Sequence, residues 1–211
     1  AGESGYLEKL IKKDFFTTGK LNFDILKSRD LESLNNNISQ KYIDLLNSFK
    51  FSENVITEKD PLNFRWIGFI KLIFPNSKII HCQRDLKDNF FSIYKNFFPE
   101  GLEWSYDQEN LINYFKNYKI IMKYWHKKFP KTIYDLKYED LINNSDNVIK
   151  DLVKFCELDW EENCLNFYNT KRSIKTLSVA EARKPIYKSS IAGSSNFDPF
   201  LKHSFSKLKN L

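Results

Sequence analysis

Apolar residues recur along this chain at two spacings. In "SGYLEKLIKKDFF" and "SQKYIDLLNSFK" they fall three and four apart, and the second carries a stripe of Tyr42, Leu45, Leu46 and Phe49. That period predicts amphipathic helices, with Ser4 and Ser39 as N-caps. "PLNFRWIGFIKLIF" predicts a helix opened by Pro61, since proline is tolerated in a first turn. "LKDNFFSIYKNFF" predicts another, and "SYDQENLINYFKNYKIIMKYWHKKF" a long one that Pro130 stops. "SDNVIKDLVKFCEL", capped by Ser145, and "DWEENCLNFYN" are two more, and the chain is helical again from Pro199. Three short runs read instead as strands. "ENVITEKDP" ends one near Thr57, "KIIHCQ" is the second, and in "TIYDLKYEDL" Ile133, Leu136 and Tyr138 fill a strand and its exit. The segment from Ser173 to Asn196 is polar and irregular. Strands alternating with helices imply an α/β fold with right-handed crossovers and a parallel sheet covered on both faces.

Composition adds bounds. The 211 residues suit one domain. Hydrophobic residues are 42% and charged residues 28%, which provides for a core and a solvated surface and excludes a disordered chain. Lys and Arg exceed Asp and Glu by 33 to 27, for a net charge of +6, so an anionic partner is mildly favoured. Cys82, Cys156 and Cys164 form no CxxC and have no His at metal-ligand spacing, so they read as reduced, mostly buried thiols of a cytoplasmic protein. No apolar run approaches the roughly 18 residues of a membrane span. The N-terminus is no signal peptide.

Candidate chemistry gathers where the predicted strands end. Ligands of open α/β sheets bind at the carboxyl ends of the strands. Those exits present Glu58, Lys59 and Asp60, then Arg84 and Asp85, then Tyr138, Glu139 and Asp140. Arg84 offers an anion a planar, permanently charged fork. Ser92 follows it by eight residues, a little over two helical turns, so Arg84 and Ser92 together make a phosphate clamp. Each residue also has a plainer reading. Arg84 and Asp85 could be a structural ion pair, Lys59 a solvated lysine, Ser92 a small packing residue and Tyr138 a half-buried tyrosine. His81 reads as a core histidine, and His126 and His203 as surface residues. No Ser-His-Asp triad, metal site or pair of glycosidase carboxylates is evident. No glycine-rich phosphate loop occurs in the chain.

The stretch "ITEKDPLNFRWIGFIKLIFPNSKIIHCQRDLKDNFFSIYKNFF" resembles the sulfotransferase family. The branch it is similar to is the bacterial sulfotransferases often fused to tetratricopeptide repeats, which are themselves similar to tyrosylprotein sulfotransferases. The resemblance continues through "YWHKKFP", "KYEDL", "FCELDWEENCLNF" and "TLSVAEARKPIY" and spans essentially the whole chain. It implies a three-layer P-loop-like fold and transfer of a sulfuryl group from 3′-phosphoadenosine 5′-phosphosulfate to a hydroxyl or amine acceptor, without a metal. Position by position, it gives Arg84 and Ser92 to the 3′-phosphate and Lys59 to the bridging oxygen of the leaving phosphate. It gives Tyr138 to the adenine, Ser178 to the catalytic site, and Arg183 with Lys184 to a basic turn over the 3′-phosphate. Glu3 lies where the family places its carboxylate base.

Two departures from the family pattern stand out. The phosphosulfate loop that follows the family's first strand would lie before Ala1, so the expectation is a domain incomplete at its N-terminus, lacking that strand and loop. Oligomerisation, strand exchange or rearrangement could cover the sheet edge this leaves. In "SSIAGSSNF", Gly193 and Ser194 stand where the family has a basic residue and a Trp, which weakens the cofactor lid. Two other classes were weighed on the residues: a nucleotide- or nucleoside-kinase-like phosphotransferase, and a non-catalytic basic module. Nucleic acid is not the expected partner.

Overall fold

The computed structural model describes residues 5–27, 31–49, 55–98, 100–169, 183–188 and 191–211. They fall in two compact units, the boundary lying between Ser77 and Lys78. The fold is mixed α/β, rich in helix, with small sheets.

The first unit is built around helix α1 (Tyr6–Phe15), whose Leu7, Leu10, Ile11 and Phe15 are all buried. Gly5 precedes it with φ 60°, a left-handed conformation that glycine adopts without penalty. Ser4 lies outside the described residues. Strands β1 (Phe16–Thr17) and β2 (Lys20–Leu21) pair antiparallel. Thr18 and Gly19 between them both have positive φ, as a two-residue hairpin turn requires. After α2 (Phe23–Lys27) comes α3 (Leu31–Ser48), with Ile38, Tyr42 and Leu46 buried at a spacing of four. The predicted start of this helix at Ser39 is corrected. Ser39 is interior, and its hydroxyl donates to the carbonyl of Asn36. The polar run before it is helical because Leu31, Leu34 and Ile38 share the packed face. A 3₁₀ turn (Pro61–Trp66) leads into α4 (Ile67–Ile73). Asp60 caps that turn, accepting from the Leu62 N–H at 2.9 Å. Trp66 and Ile73 complete the core with the buried faces of α1 and α3.

The predicted strand ending near Thr57 is also corrected. Residues 55–57 carry no strand, and Glu58 makes only an isolated bridge. Val55 and Ile56 are exposed, so their apolar side chains give the segment no buried face to hold a pleat.

The second unit holds a parallel pair, β3 (Ile79–Gln83) and β4 (Ile133–Lys137), in register from Ile79 opposite Ile133 to Gln83 opposite Lys137. Between them run α5 (Leu86–Lys95) and α6 (Gln108–Lys128). Asp85 caps α5, accepting from the N–H groups of Lys87 and Asp88, and Asp107 caps α6. After β4 come α7 (Tyr138–Asn143), α8 (Ser145–Phe155) and α9 (Asp198–Leu208). The segment "DWEENCLNFYN", expected as one helix, is two short 3₁₀ turns. Phe90, Leu111, Ile112, Phe115, Leu201, Phe205 and Leu208 form the core where α5, α6 and α9 meet.

The described residues hold only small sheets. The parallel one has two strands, and β3 turns Ile80 and Cys82 outward to an exposed face. Alternation puts Cys82 opposite in direction to His81, so this thiol is exposed where the sequence suggested burial. Among the described residues, no helix is long and apolar enough to cross a membrane.

Candidate active site at the strand exits

The register of β3 and β4 persists beyond the strands. Gln83 lies opposite Lys137, and the next two residues of each chain segment interact across the same offset. The Arg84 guanidinium sits over the Tyr138 ring, 5.1 Å from its centroid. The Asp85 N–H donates to Glu139 Oε1 at 2.9 Å. Both turns into the following helices are thereby tied together at the carboxyl ends of the parallel strands.

Arg84 is positioned from a second side by Asp88. Its Nη2 is 3.8 Å from Asp88 Oδ2. The plainer sequence reading, an ion pair with Asp85, is corrected. Asp85 spends its carboxylate on the α5 cap, and the residue one helical turn further on meets the guanidinium. Asp88 is 3% exposed, and it also accepts the Ala192 N–H at 2.7 Å and the Ser194 N–H at 2.9 Å. Burial raises the energy of its charge. The Ser194 and Ala192 donors and the Arg84 cation outweigh that cost and hold the carboxyl below its ordinary range. Ala192 is held at φ 57°, a conformation an alanine rarely adopts, and Ser194 is buried. The segment expected to be a weakened lid is therefore anchored to α5 through the backbone N–H groups of Ala192 and Ser194 and through the Ser194 side chain, which also hydrogen-bonds Asp88.

Beside this anchor lies a cavity of about 350 Å³, lined in part by Asp85, Asp88, Glu139 and Asp198, with Lys87 as a cation. Four acidic residues and one lysine in that lining make the space unfavourable for a polyanion. Arg84 is not part of its lining. The Arg84 side chain as a whole is 26% exposed.

The other sequence-predicted residues divide as follows. Ser92 is half-buried on α5, four residues beyond Asp88 and so on the same helix face. Lys59 belongs to the first unit, exposed and directly before the capped 3₁₀ turn. Arg183 and Lys184 are exposed. Glu3 and Ser178 lie outside the described residues. Two participants escaped sequence reading. Asp88 looked like any acid in a helical first turn, although its spacing of four from Arg84 was the available signal. His126 looked like a surface residue, and only the folded chain brings it to Asp135 at 3.0 Å.

Residues 10–162 match the model of the "Sulfotransferase family". The chain belongs to the sulfotransferase family. This sulfotransferase-family chain is also 35% identical over 173 residues to an uncharacterized protein of Aquifex aeolicus (strain VF5), an alignment covering 81% of the chain. It spans 23% of that relative's length. The match takes in both units, including Lys59, Arg84, Ser92 and Tyr138.

Proposed function

We propose that this chain is the sulfuryl-transfer domain of an enzyme that uses 3′-phosphoadenosine 5′-phosphosulfate as donor and a hydroxyl or amine as acceptor. Family membership supports sulfuryl transfer in general. The observation that carries the finer reading is Arg84, fixed between the Tyr138 ring and the buried Asp88 at the carboxyl ends of two parallel strands. A guanidinium held on two sides loses little freedom when it meets a phosphate, and its charge does not titrate. The donor fits these residues chemically: its 3′-phosphate suits Arg84 and the Ser92 face of α5, and its adenine suits the apolar ring of Tyr138. A three-layer P-loop-like arrangement goes with this reading.

When bound, the donor supplies an activated sulfuryl group on a phosphate leaving group. The protein's residues have simpler tasks. Arg84 and Ser92 hold and orient the nucleotide. The resemblance gives Lys59 the task of offsetting negative charge on the leaving phosphate, as a fixed cation would. Arg183 and Lys184 add positive charge near the 3′-phosphate. Glu3 is the candidate base for the acceptor's proton, and Ser178 is carried over as a catalytic-site serine.

Calorimetry of the full chain with 3′-phosphoadenosine 5′-phosphate tests the reading. A charge-assisted phosphate contact is worth about 1.5–3 kcal/mol, so Arg84→Ala should weaken binding by roughly ten- to a hundredfold. ATP should bind more weakly than the bisphosphate. Equal affinity of parent and Arg84→Ala, or tighter binding of ATP, would overturn it.

A further inference from the structure

The strand register that aligns the exits also sets His81 opposite Asp135. Opposed residues of a ladder project to the same side of the sheet. Helix α6 brings Tyr118, Met122 and His126 there, at successive steps of four residues. His81 Nδ1 lies 2.7 Å from Asp135 Oδ1, and His126 Nε2 lies 3.0 Å from Asp135 Oδ2. One donor atom from each of the three side chains falls within 4.8 Å of the others.

The far nitrogen of each ring is already committed. His126 Nδ1 donates to the Met122 carbonyl at 2.7 Å, which aims Nε2 at the carboxylate. His81 Nε2 is hydrogen-bonded to the Tyr118 hydroxyl, which aims Nδ1 at the same carboxylate. Gln83 Nε2 donates to Asp135 Oδ1 at 2.6 Å and also lies 3.0 Å from His81 Nδ1, a place that an ion bound to these two atoms would take over. Metal-binding histidines are oriented by this kind of outer hydrogen bond, which fixes the tautomer and the ring plane.

We propose that His81, His126 and Asp135 form a binding site for a divalent transition-metal ion. Two imidazoles and one carboxylate make a donor set suited to zinc, with further positions left for water. The His81 side chain, 9% exposed, forms the floor, while His126 at 36% and Asp135 at 40% leave a way in. The positive field of Lys119 on His81 opposes a cation, and the Asp135 charge favours one. A bound ion would join β3, β4 and α6, and would stabilise the chain in proportion to its concentration. The inference rests on these side chains and is independent of the donor reading.

Zinc chloride titrated calorimetrically into the chelator-treated full chain tests it. The expected result is one ion per chain with micromolar or tighter affinity and a raised thermal midpoint. Cobalt(II) should give a visible absorption band of low coordination number, without the near-ultraviolet band of a thiolate ligand. His126→Ala should weaken zinc at least tenfold and abolish the visible band. Cys82→Ser should leave both unchanged, since that thiol points to the other face of β3. Absence of saturable binding, undiminished binding in His126→Ala, or loss of binding in Cys82→Ser would each overturn the site. Should His126→Ala fold poorly, the cobalt spectrum of the parent still decides between imidazole and thiolate ligands.

Discussion

Replacing Asp88 with alanine removes a carboxylate that joins α5 to a segment 104 residues away. Two donors, the N–H groups of Ala192 and Ser194, lose their acceptor. A buried donor left without a partner costs about 1–3 kcal/mol. The Arg84 pair adds less, because it is 3.8 Å long and the Arg84 side chain is 26% exposed. Against these losses stands relief of the burial cost of the carboxylate itself. The net expectation is a destabilisation of about 3 kcal/mol at neutral pH, read from urea unfolding. Asp88→Asn keeps one acceptor oxygen and should lose roughly half as much. Amide exchange at Ala192 and Ser194 should accelerate at least tenfold in Asp88→Ala, reporting the release of that segment. A loss below about 0.5 kcal/mol, the range of ordinary surface substitutions, with exchange unchanged would refute the anchoring role.

Three further outcomes follow from particular geometries. Ala192→Gly should stabilise the chain by about 0.5–1 kcal/mol in urea unfolding, because φ 57° strains an alanine and not a glycine. Asp88 has a depressed folded pKa, so its contribution is present above the unfolded aspartate value and is lost as pH falls through the lower folded value. The stability difference between parent and Asp88→Asn should accordingly shrink on acidification below pH 3.8, as seen by unfolding at stepped pH. In the first unit, Arg65 Nη2 meets Glu8 Oε2 at 2.9 Å and Lys12 joins the same carboxylate. Glu8→Gln should cost about 1 kcal/mol or less, with the difference shrinking in 1 M salt, since both cations are partly exposed.

Helices were the most legible part of the fold. The buried sets Leu7, Leu10, Ile11 and Ile38, Tyr42, Leu46 repeat at helical spacing, which neighbours in sequence reveal without any tertiary contact. Boundaries were less legible, as the early start of α3 shows. There an asparagine-rich run is helical because its few apolar residues reach the core of the first unit. The strand expected before Lys59 failed for the opposite reason. Apolar residues in a short run hold a strand only against a packed face, which sequence does not show, and Val55 and Ile56 are exposed. Within the candidate site, Arg84, Ser92 and Tyr138 could be named from motif spacing, while Asp88 and His126 could not.

The amino-acid order alone settled which segments are amphipathic helices and which side chains leave β3 and β4, but not the caps: serines were expected at Ser39 and Ser145, and the turns are capped by Asp60, Asp85 and Asp107. Helical periodicity is a local matter, legible within a few residues. Tertiary structure alone decided the parallel register of β3 with β4. That pairing set Arg84 against Tyr138 and His81 against Asp135, and chain packing brought the Ala192–Ser194 backbone onto Asp88. The physical reason is that a buried charge and a shared strand register are satisfied by groups distant in sequence. Their partners exist only once the chain has closed on itself.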